Sequence, residues 1–516
     1  MERPDTVPAL LAAARESLID RGRVLAYLAL EREAASLARG LRDLGVRKRD
    51  RVALWLPSIP AWLATFAACA RLGAIAVSLN TRFRSAEIAD IVSRSGCRAL
   101  VYWPGFRNID FRGILAACDP QALHSLHARI AYGEGDEPSA YHELVALPPL
   151  QDDASGPEAP CVIFTTSGTT RAPKFVLHDQ RTVLRHARDV ARKFGFAEPG
   201  SRVLVTAPFC GVFGFCNAMG TIAADKPLVM SPTFEAAEAA AIVRRHGITH
   251  LNCTDDMLAQ MLATVPDENP FPSVRFVGYA AFNPALADLP ARAGARGVKV
   301  VGLYGSSELQ ALLARQSEHA APEKRGLGGG QLVAAEGEVQ ARDPETGARL
   351  PHGTPGELVF NVPSRMVGYY GNDAATAAAT TADGWFRSGD LGYTTSERRF
   401  VYLTRLGDAL RLSGFLVSPA EIEDILLEHP QVAAAQVVGV DTPSGTRAFA
   451  FVIPAAGKPI DEEAILAHCA SRLAKYKLPV RVHALAEFPV TPGANATKIQ
   501  RGKLRELARE LASSER

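Results

Sequence analysis

Short apolar runs of β character alternate with Ala- and Leu-rich helical stretches through most of this chain, and that alternation admits few architectures. "VALWL", the helix beginning near Ala61, and "AIAVSL" form one strand–helix–strand unit. "RALVYW", "CVIFTT", "RVLVTA", "ITHLN", "VRFVGY" and "VKVVGLYG" read as further apolar strands. The expected fold class is α/β with largely parallel sheets. "TTSGTT" follows one strand directly and "GSSE" another. Ligands in open α/β sheets gather at such carboxyl ends. With 516 residues the chain exceeds one core and reaches two or three domains. Near residue 325 the turn-dense "GLGGGQ", "DPETGARLPHGTPGEL" and "YYGND" indicate a β-rich lobe. After Asp408 the pattern changes again. "SPAEIEDILLEH" offers Ser418 as N-cap, Pro419 at the first helical position and Glu421 to close a capping box. "AAAQVVGV" and "AFAFVIP" read as paired strands, so residues 409–516 form a compact α+β domain.

Composition narrows the function classes. A net charge of +2, from 57 basic and 55 acidic residues, supplies no field to attract nucleic acid or an anionic membrane. The eight cysteines include no CxxC pair, which argues against zinc and for a reduced, cytoplasmic chain. "MERPDTVPALLAAARESLID" carries charges throughout and lacks the apolar core of a signal peptide. Val52 to Ala70 is uncharged for long enough to raise the question of a membrane span. Pro57 and Pro60 divide it into a buried strand and a helix that ends near Arg71, so no integral membrane segment is expected.

The loop "TTSGTTRAPKFV" at 165–176 does not fit GxxxxGK[ST]. A Ser/Thr/Gly run can still cradle phosphate through backbone N–H groups and hydroxyls, with Lys174 as a point charge; it can equally be a hydroxyl-rich surface loop. "YGSSE" at 304–308 sets a ring, a glycine, two hydroxyls and a carboxylate at a strand end, where Glu308 could hold a magnesium ion. "GWFRSGDLG" at 384–392 presents Asp390 in a turn, placed to accept bonds from ribose hydroxyls. Lys498 lies in "PGANATKIQRGKLRE" near the terminus, in a basic tail where a solvated lysine would be unremarkable on its own.

In this order the motifs resemble those of the adenylate-forming superfamily of acyl-CoA synthetases, peptide-synthetase adenylation domains and luciferases. The resemblance runs from "LRDLGVRKRDRVALWLP" to "KIQRGKLRE", nearly the whole chain. It implies a large N-terminal domain (1–404) of two α/β subdomains plus a β-rich lobe, a hinge (405–408) and a small mobile α+β C-terminal domain (409–516). By position, Thr166, Ser167, Gly168, Thr169, Thr170 and Lys174 match the loop placed on the phosphates of ATP. Thr169 and Glu308 match the pair associated with Mg2+. Tyr304, followed by Gly305, Ser306 and Ser307, matches the residue set against adenine, and Asp390 and Arg405 match the ribose contacts. Lys498 matches the lysine that bridges the carboxylate and the α-phosphate during adenylation. Charge gathers on the phosphate oxygens at that step, and a fixed ammonium or a metal there is each worth roughly 2–4 kcal/mol.

The chain departs from the family's TSGTTGxPKG at two places, where Arg171 and Phe175 replace glycines. A left-handed backbone at either would cost a side chain roughly 1–2 kcal/mol, so residue 171 is expected at negative φ and Phe175 to pack inward. Arg171 then faces phosphate, a neighbouring acidic group or solvent. At the hinge, Gly407 takes the place of the family's usual Asp or Lys, with Asp408 next; it reads as a pivot or as an ordinary turn glycine.

"APFCGVFGFCNAMG" at 207–220 matches the acyl-pocket region, with Phe209, Cys210, Phe213 and Gly214 as its candidate lining, and contains no charged residue. That favours an apolar monocarboxylic acid, fatty or aromatic, although the same phenylalanines would suit a core. Coenzyme A is the expected acceptor, with Gly414 beside its channel. Transfer to a carrier protein and a turnover-deficient nucleotide- or acyl-adenylate-binding protein are the alternatives. The sequence leaves the oligomeric state open, a homodimer included.

Overall fold

The computed structural model describes residues 4–134, 137–166, 173–282, 286–412, 415–442, 445–473, 475–492 and 497–513. The first strand–helix–strand unit forms as expected. Strands Arg51–Trp55 and Ile75–Ser78 pair in parallel, and helix Pro60–Leu72 crosses between them. Proline at its first turn starts the helix, and Gly73 at φ 64° ends it in the left-handed region that a side chain would resist. Residues 61–70 are all buried, so the uncharged stretch is a core helix rather than a membrane one. Among the described residues no helix is long and apolar enough to cross a membrane.

Two large sheets carry the N-terminal part. The first runs Gly368–Tyr369, Phe175–Asp179, Pro160–Thr165, Ile75–Ser78, Arg51–Trp55, Cys97–Tyr102, Ala128–Ala131. The second is parallel through Ser17–Asp20, Leu228–Met230, Val203–Val205, His250–Thr254, Phe276–Ala280 and Val300–Ser306. At Val300–Ser306 the chain turns back into Gln310–Arg315, and the strands beyond are antiparallel out to Glu338–Arg342. The β-rich lobe is therefore hydrogen-bonded onto the second sheet. An aromatic core of Trp62, Phe66, Phe164, Phe209 and Phe215 lies between the two sheets.

From Leu410 onward the chain builds two cores of its own. Strands Val432–Thr442, Gly445–Pro454 and Pro479–Ala484 form a sheet flanked by helices Pro419–Leu427, Glu462–Ala470 and Arg501–Ser513. The helix at Pro419 begins where the sequence places it, with Ser418 as N-cap, but the capping box does not form. The Ser418 hydroxyl is buried without a partner, and Glu421 instead accepts from Lys477 Nζ at 2.5 Å. A lysine brought from the neighbouring segment outcompetes the local bond.

Candidate active site

The hydroxyl-rich loop hangs from the antiparallel pair Pro160–Thr165 and Phe175–Asp179, where Thr165 faces Phe175. One step further, the Thr166 N–H donates to Lys174 O (3.0 Å) and the Lys174 N–H to Thr166 Oγ1 (3.3 Å), closing the loop's mouth. Ser167, Gly168, Thr169, Thr170 and Arg171 lie outside the described residues. Phe175 is 3% exposed and points inward, and it is absent from the left-handed residues, so its side chain brings no backbone strain. Arg94, which the sequence did not single out, clamps this base. Its guanidinium sits 4.3 Å above the Phe175 ring, donates to Pro173 O at 2.8 Å and is forked onto Asp90.

Strand Val300–Ser306 delivers the second group. Gly305 must lack a side chain, because a Cβ there would meet Ala311 Cα at 2.7 Å. Behind Glu308, Gln310 and Leu312 both stand in the left-handed region (φ 64°). The buried Gln310 amide donates to Thr182 O and Ser364 O, which offsets part of that strain. His178 Nε2 holds Ser307 O at 2.8 Å, and the Met366 N–H donates to Glu308 O at 2.7 Å. Ser306 Oγ accepts from the Leu309 N–H.

Tyr369 is a second residue that the sequence did not single out. Its hydroxyl donates to Glu308 Oε1 at 2.9 Å, while Lys174 Nζ lies 4.7 Å over its ring. One side chain thus ties the loop lysine to the carboxylate. Burial, then the Glu308 charge, pushes the Tyr369 hydroxyl above its ordinary range, which keeps it a donor. Tyr369→Phe removes the hydroxyl and keeps the ring. The expected result is an adenylation rate lower by about tenfold, in line with a hydrogen bond to a charged acceptor. ATP–pyrophosphate exchange at the wild-type rate would remove Tyr369 from the site.

Tyr304, Asp390 and Arg405, far apart in sequence, meet in space. Tyr304 stacks on Phe360 (5.6 Å), meets Phe400 edge-on (5.0 Å) and donates its hydroxyl to Asp390 Oδ2 at 2.5 Å. Asp390 is 3% exposed, and its Oδ1 has no hydrogen-bond partner although the largely exposed Arg405 lies 3.1 Å away as an ion pair. Burial raises the Asp390 carboxyl above the usual carboxylate range, against the opposing pull of Arg405 and Tyr304. A buried carboxylate oxygen lacking a donor is costly to the fold, and a ligand hydroxyl is a group that would satisfy it.

The acyl segment divides. Phe209 is fully buried, 5.7 Å from Trp62, and its N–H donates to Ser58 Oγ. Gly214 is packed so closely that a Cβ would meet Ala207 O at 2.3 Å. Both belong to core packing. Phe213 is 8% exposed, and Cys210 is partly exposed, its thiol pushed up to about 12 by burial. Gly407 sits at negative φ in the short 3-10 turn Leu406–Asp408, so the left-handed freedom of glycine is not used there. Gly414 lies outside the described residues, and of Lys498 the structure describes only the backbone, in strand Thr497–Ile499 opposite Thr491.

Glu308 suits a hard cation that completes its shell with phosphate and water oxygens. Among the described residues no group of three or more His, Cys, Asp or Glu could hold a metal. A cavity of about 450 Å³ opens elsewhere, by Trp103, Phe106 and Arg107, and contains none of these groups.

A family model for AMP-binding enzymes matches residues 8–370, and one for the AMP-binding enzyme C-terminal domain matches residues 421–494. The chain is 32% identical over 490 residues to a feruloyl-CoA synthase of Amycolatopsis sp., covering 94% of each. It is 29% identical to a sulfoacetate–CoA ligase of Cupriavidus necator, covering 94% of this chain and 93% of that one. The fold matches ATP-bound MatB from Rhodopseudomonas palustris with a TM-score of 0.86 at 23% identity, covering 99% and 100% of the two chains.

Proposed function

From the premise that this chain belongs to the AMP-binding enzyme family, we propose the acid it activates and the residues that do the work. The protein is an adenylate-forming acyl-CoA synthetase that uses ATP and coenzyme A. Its substrate is an apolar monocarboxylic acid, aromatic or fatty. The carboxylate oxygen attacks the α-phosphorus of ATP and pyrophosphate leaves. The thiol sulfur of coenzyme A then attacks the acyl carbon, losing its proton, and AMP leaves.

The observation that carries the nucleotide site is the buried Asp390 Oδ1, which is ion-paired to Arg405 but accepts no hydrogen bond, on the carboxylate that Tyr304 holds. Asp390 holds the ribose, with Arg405 beside it, and Tyr304 packs by the adenine. Lys174 and the loop from Thr166 to Thr170 hold the phosphates. Glu308, with Thr169, would hold Mg2+, which when bound neutralises phosphate charge. Residues 1–404 bind ATP and the acid, 405–408 are the hinge, and 409–516 bring Lys498 to the first step and withdraw it for the second. With all eight cysteines free, the cytoplasm is the compartment that fits.

Segment 207–220 is uncharged, and the helix it enters, Val212–Ala223, packs on strand Gln310–Arg315. A sulfonate or second carboxylate would want a cationic partner that this segment lacks. The feruloyl-CoA synthase likeness agrees with an apolar wall. The test is a panel of ferulate, benzoate, octanoate, palmitate and sulfoacetate with ATP and coenzyme A. Thioester and AMP are expected from an aromatic or aliphatic acid. Turnover of sulfoacetate alone would overturn the substrate class, and pyrophosphate exchange without thioester would overturn coenzyme A as acceptor.

A further inference from the structure

Lys498 sits in a hairpin, and what holds that hairpin lies just beyond it. Strand Val490–Pro492 pairs with Thr497–Ile499. The Gln500 N–H donates to Pro489 O (2.8 Å) and its amide to Val490 O (3.2 Å), closing the base. Ile499 packs against the small core of Val438, Phe451 and Leu504. Arg501 then opens the last helix. It donates to both oxygens of Glu423 (2.9 and 3.2 Å) and from Nε to Gln436 Oε1 (3.1 Å). Glu423 also accepts from the Val437 N–H at 2.8 Å. This pair is inside the domain, with side-chain exposures of 17% for Arg501 and 5% for Glu423.

One helical turn later, on the same face, Arg505 reaches the hinge, donating to the Asp408 carboxylate and to Gly407 O (3.0 Å). Helix Arg501–Ser513 therefore joins the lysine hairpin to the hinge turn.

A buried ion pair is a weak source of net stability, because desolvation consumes most of its attraction, but it fixes geometry. Geometry is what a reaching lysine needs. Three residues of chain span at most about 10 Å, so Arg501 is a near anchor for Lys498. Misplacing a reacting group by about 1 Å can cost about a hundredfold in rate.

We propose that Glu423 and Arg501 are positioning residues for adenylation, locking the hairpin of Lys498 to the helix whose next turn grips the hinge. This rests on the adenylation role given to Lys498 above. The test compares Arg501→Gln, Arg501→Lys, Glu423→Gln and Lys498→Ala in the full chain. ATP–pyrophosphate exchange is measured beside thioester formation from supplied feruloyl- and octanoyl-adenylate, with melting temperatures for each variant.

Arg501→Gln is expected to lose about tenfold or more in exchange while thioester formation stays within about threefold, and Arg501→Lys to recover part of the loss. Equal loss in both reactions would assign the pair to stability alone and overturn the proposal. Should Arg501→Gln fail to fold, the isosteric Glu423→Gln decides on the same two readouts. If Lys498→Ala keeps exchange, the role of Lys498 fails and the proposal with it. If Lys498→Ala loses exchange while the Arg501 and Glu423 variants keep it, the positioning proposal alone fails.

Discussion

Lys498→Ala is expected to lower ATP–pyrophosphate exchange by about 10²–10³-fold and to leave thioester formation from supplied acyl-adenylate nearly unchanged. The asymmetry follows from where charge develops. Attack on the α-phosphorus concentrates negative charge on its oxygens, and a fixed ammonium there is aimed at the transition state. Thiol attack on the finished mixed anhydride develops charge on the acyl oxygen instead. In the proposed function the small domain withdraws that amine before the thiol enters. The small domain has its own two cores and joins the rest through the short turn Leu406–Asp408, an arrangement suited to moving as a unit. Equal loss of both partial reactions would contradict a lysine that serves only the first.

Asp390→Asn is expected to raise the ATP concentration needed for half-maximal exchange by about tenfold or more. The substitution keeps the shape and removes the charge. An amide at this position must also present an N–H2 group to the Tyr304 hydroxyl, which already donates, or to the Arg405 cation. The same residue sets a pH dependence. Burial holds its carboxyl above the usual range, and a ribose hydroxyl binds the ionised form more strongly than the acid. ATP binding therefore weakens as pH falls through that raised value, and bound nucleotide draws the value back down. The Asn variant should lack this acid limb; an identical pH profile in wild type and variant would remove Asp390 from the nucleotide site. For stability the sign is opposite. Above the raised value the buried charge works against the fold, and protonation on acidification relieves it.

The strands and the helix at Pro60 were legible because apolar runs broken by proline and glycine report burial directly. Tyr304, Asp390 and Arg405 were nameable from motif order, and the sheet order brings them to one place. Tyr369 was not legible. It stands in "GYYGND", which reads as a turn, and its partners Lys174 and Glu308 reach it only because Gly368–Tyr369 pairs as an edge strand beside Phe175–Asp179. Arg94 was hidden for the same reason, since nothing in an amphipathic helix says which loop its end will touch. The capping box failed because Lys477 competed from 56 residues away. Phe209 shows the limit of composition, as an uncharged aromatic run describes a pocket wall and a core equally well.

The most direct test is a crystal structure with a non-hydrolysable acyl-sulfamoyl adenosine. A ribose hydroxyl donating to Asp390 Oδ1, adenine beside Tyr304 and the sulfamoyl group facing Lys174 is the predicted result. An analogue bound elsewhere, for example in the cavity by Trp103 and Arg107, with Oδ1 still lacking a donor, would contradict it.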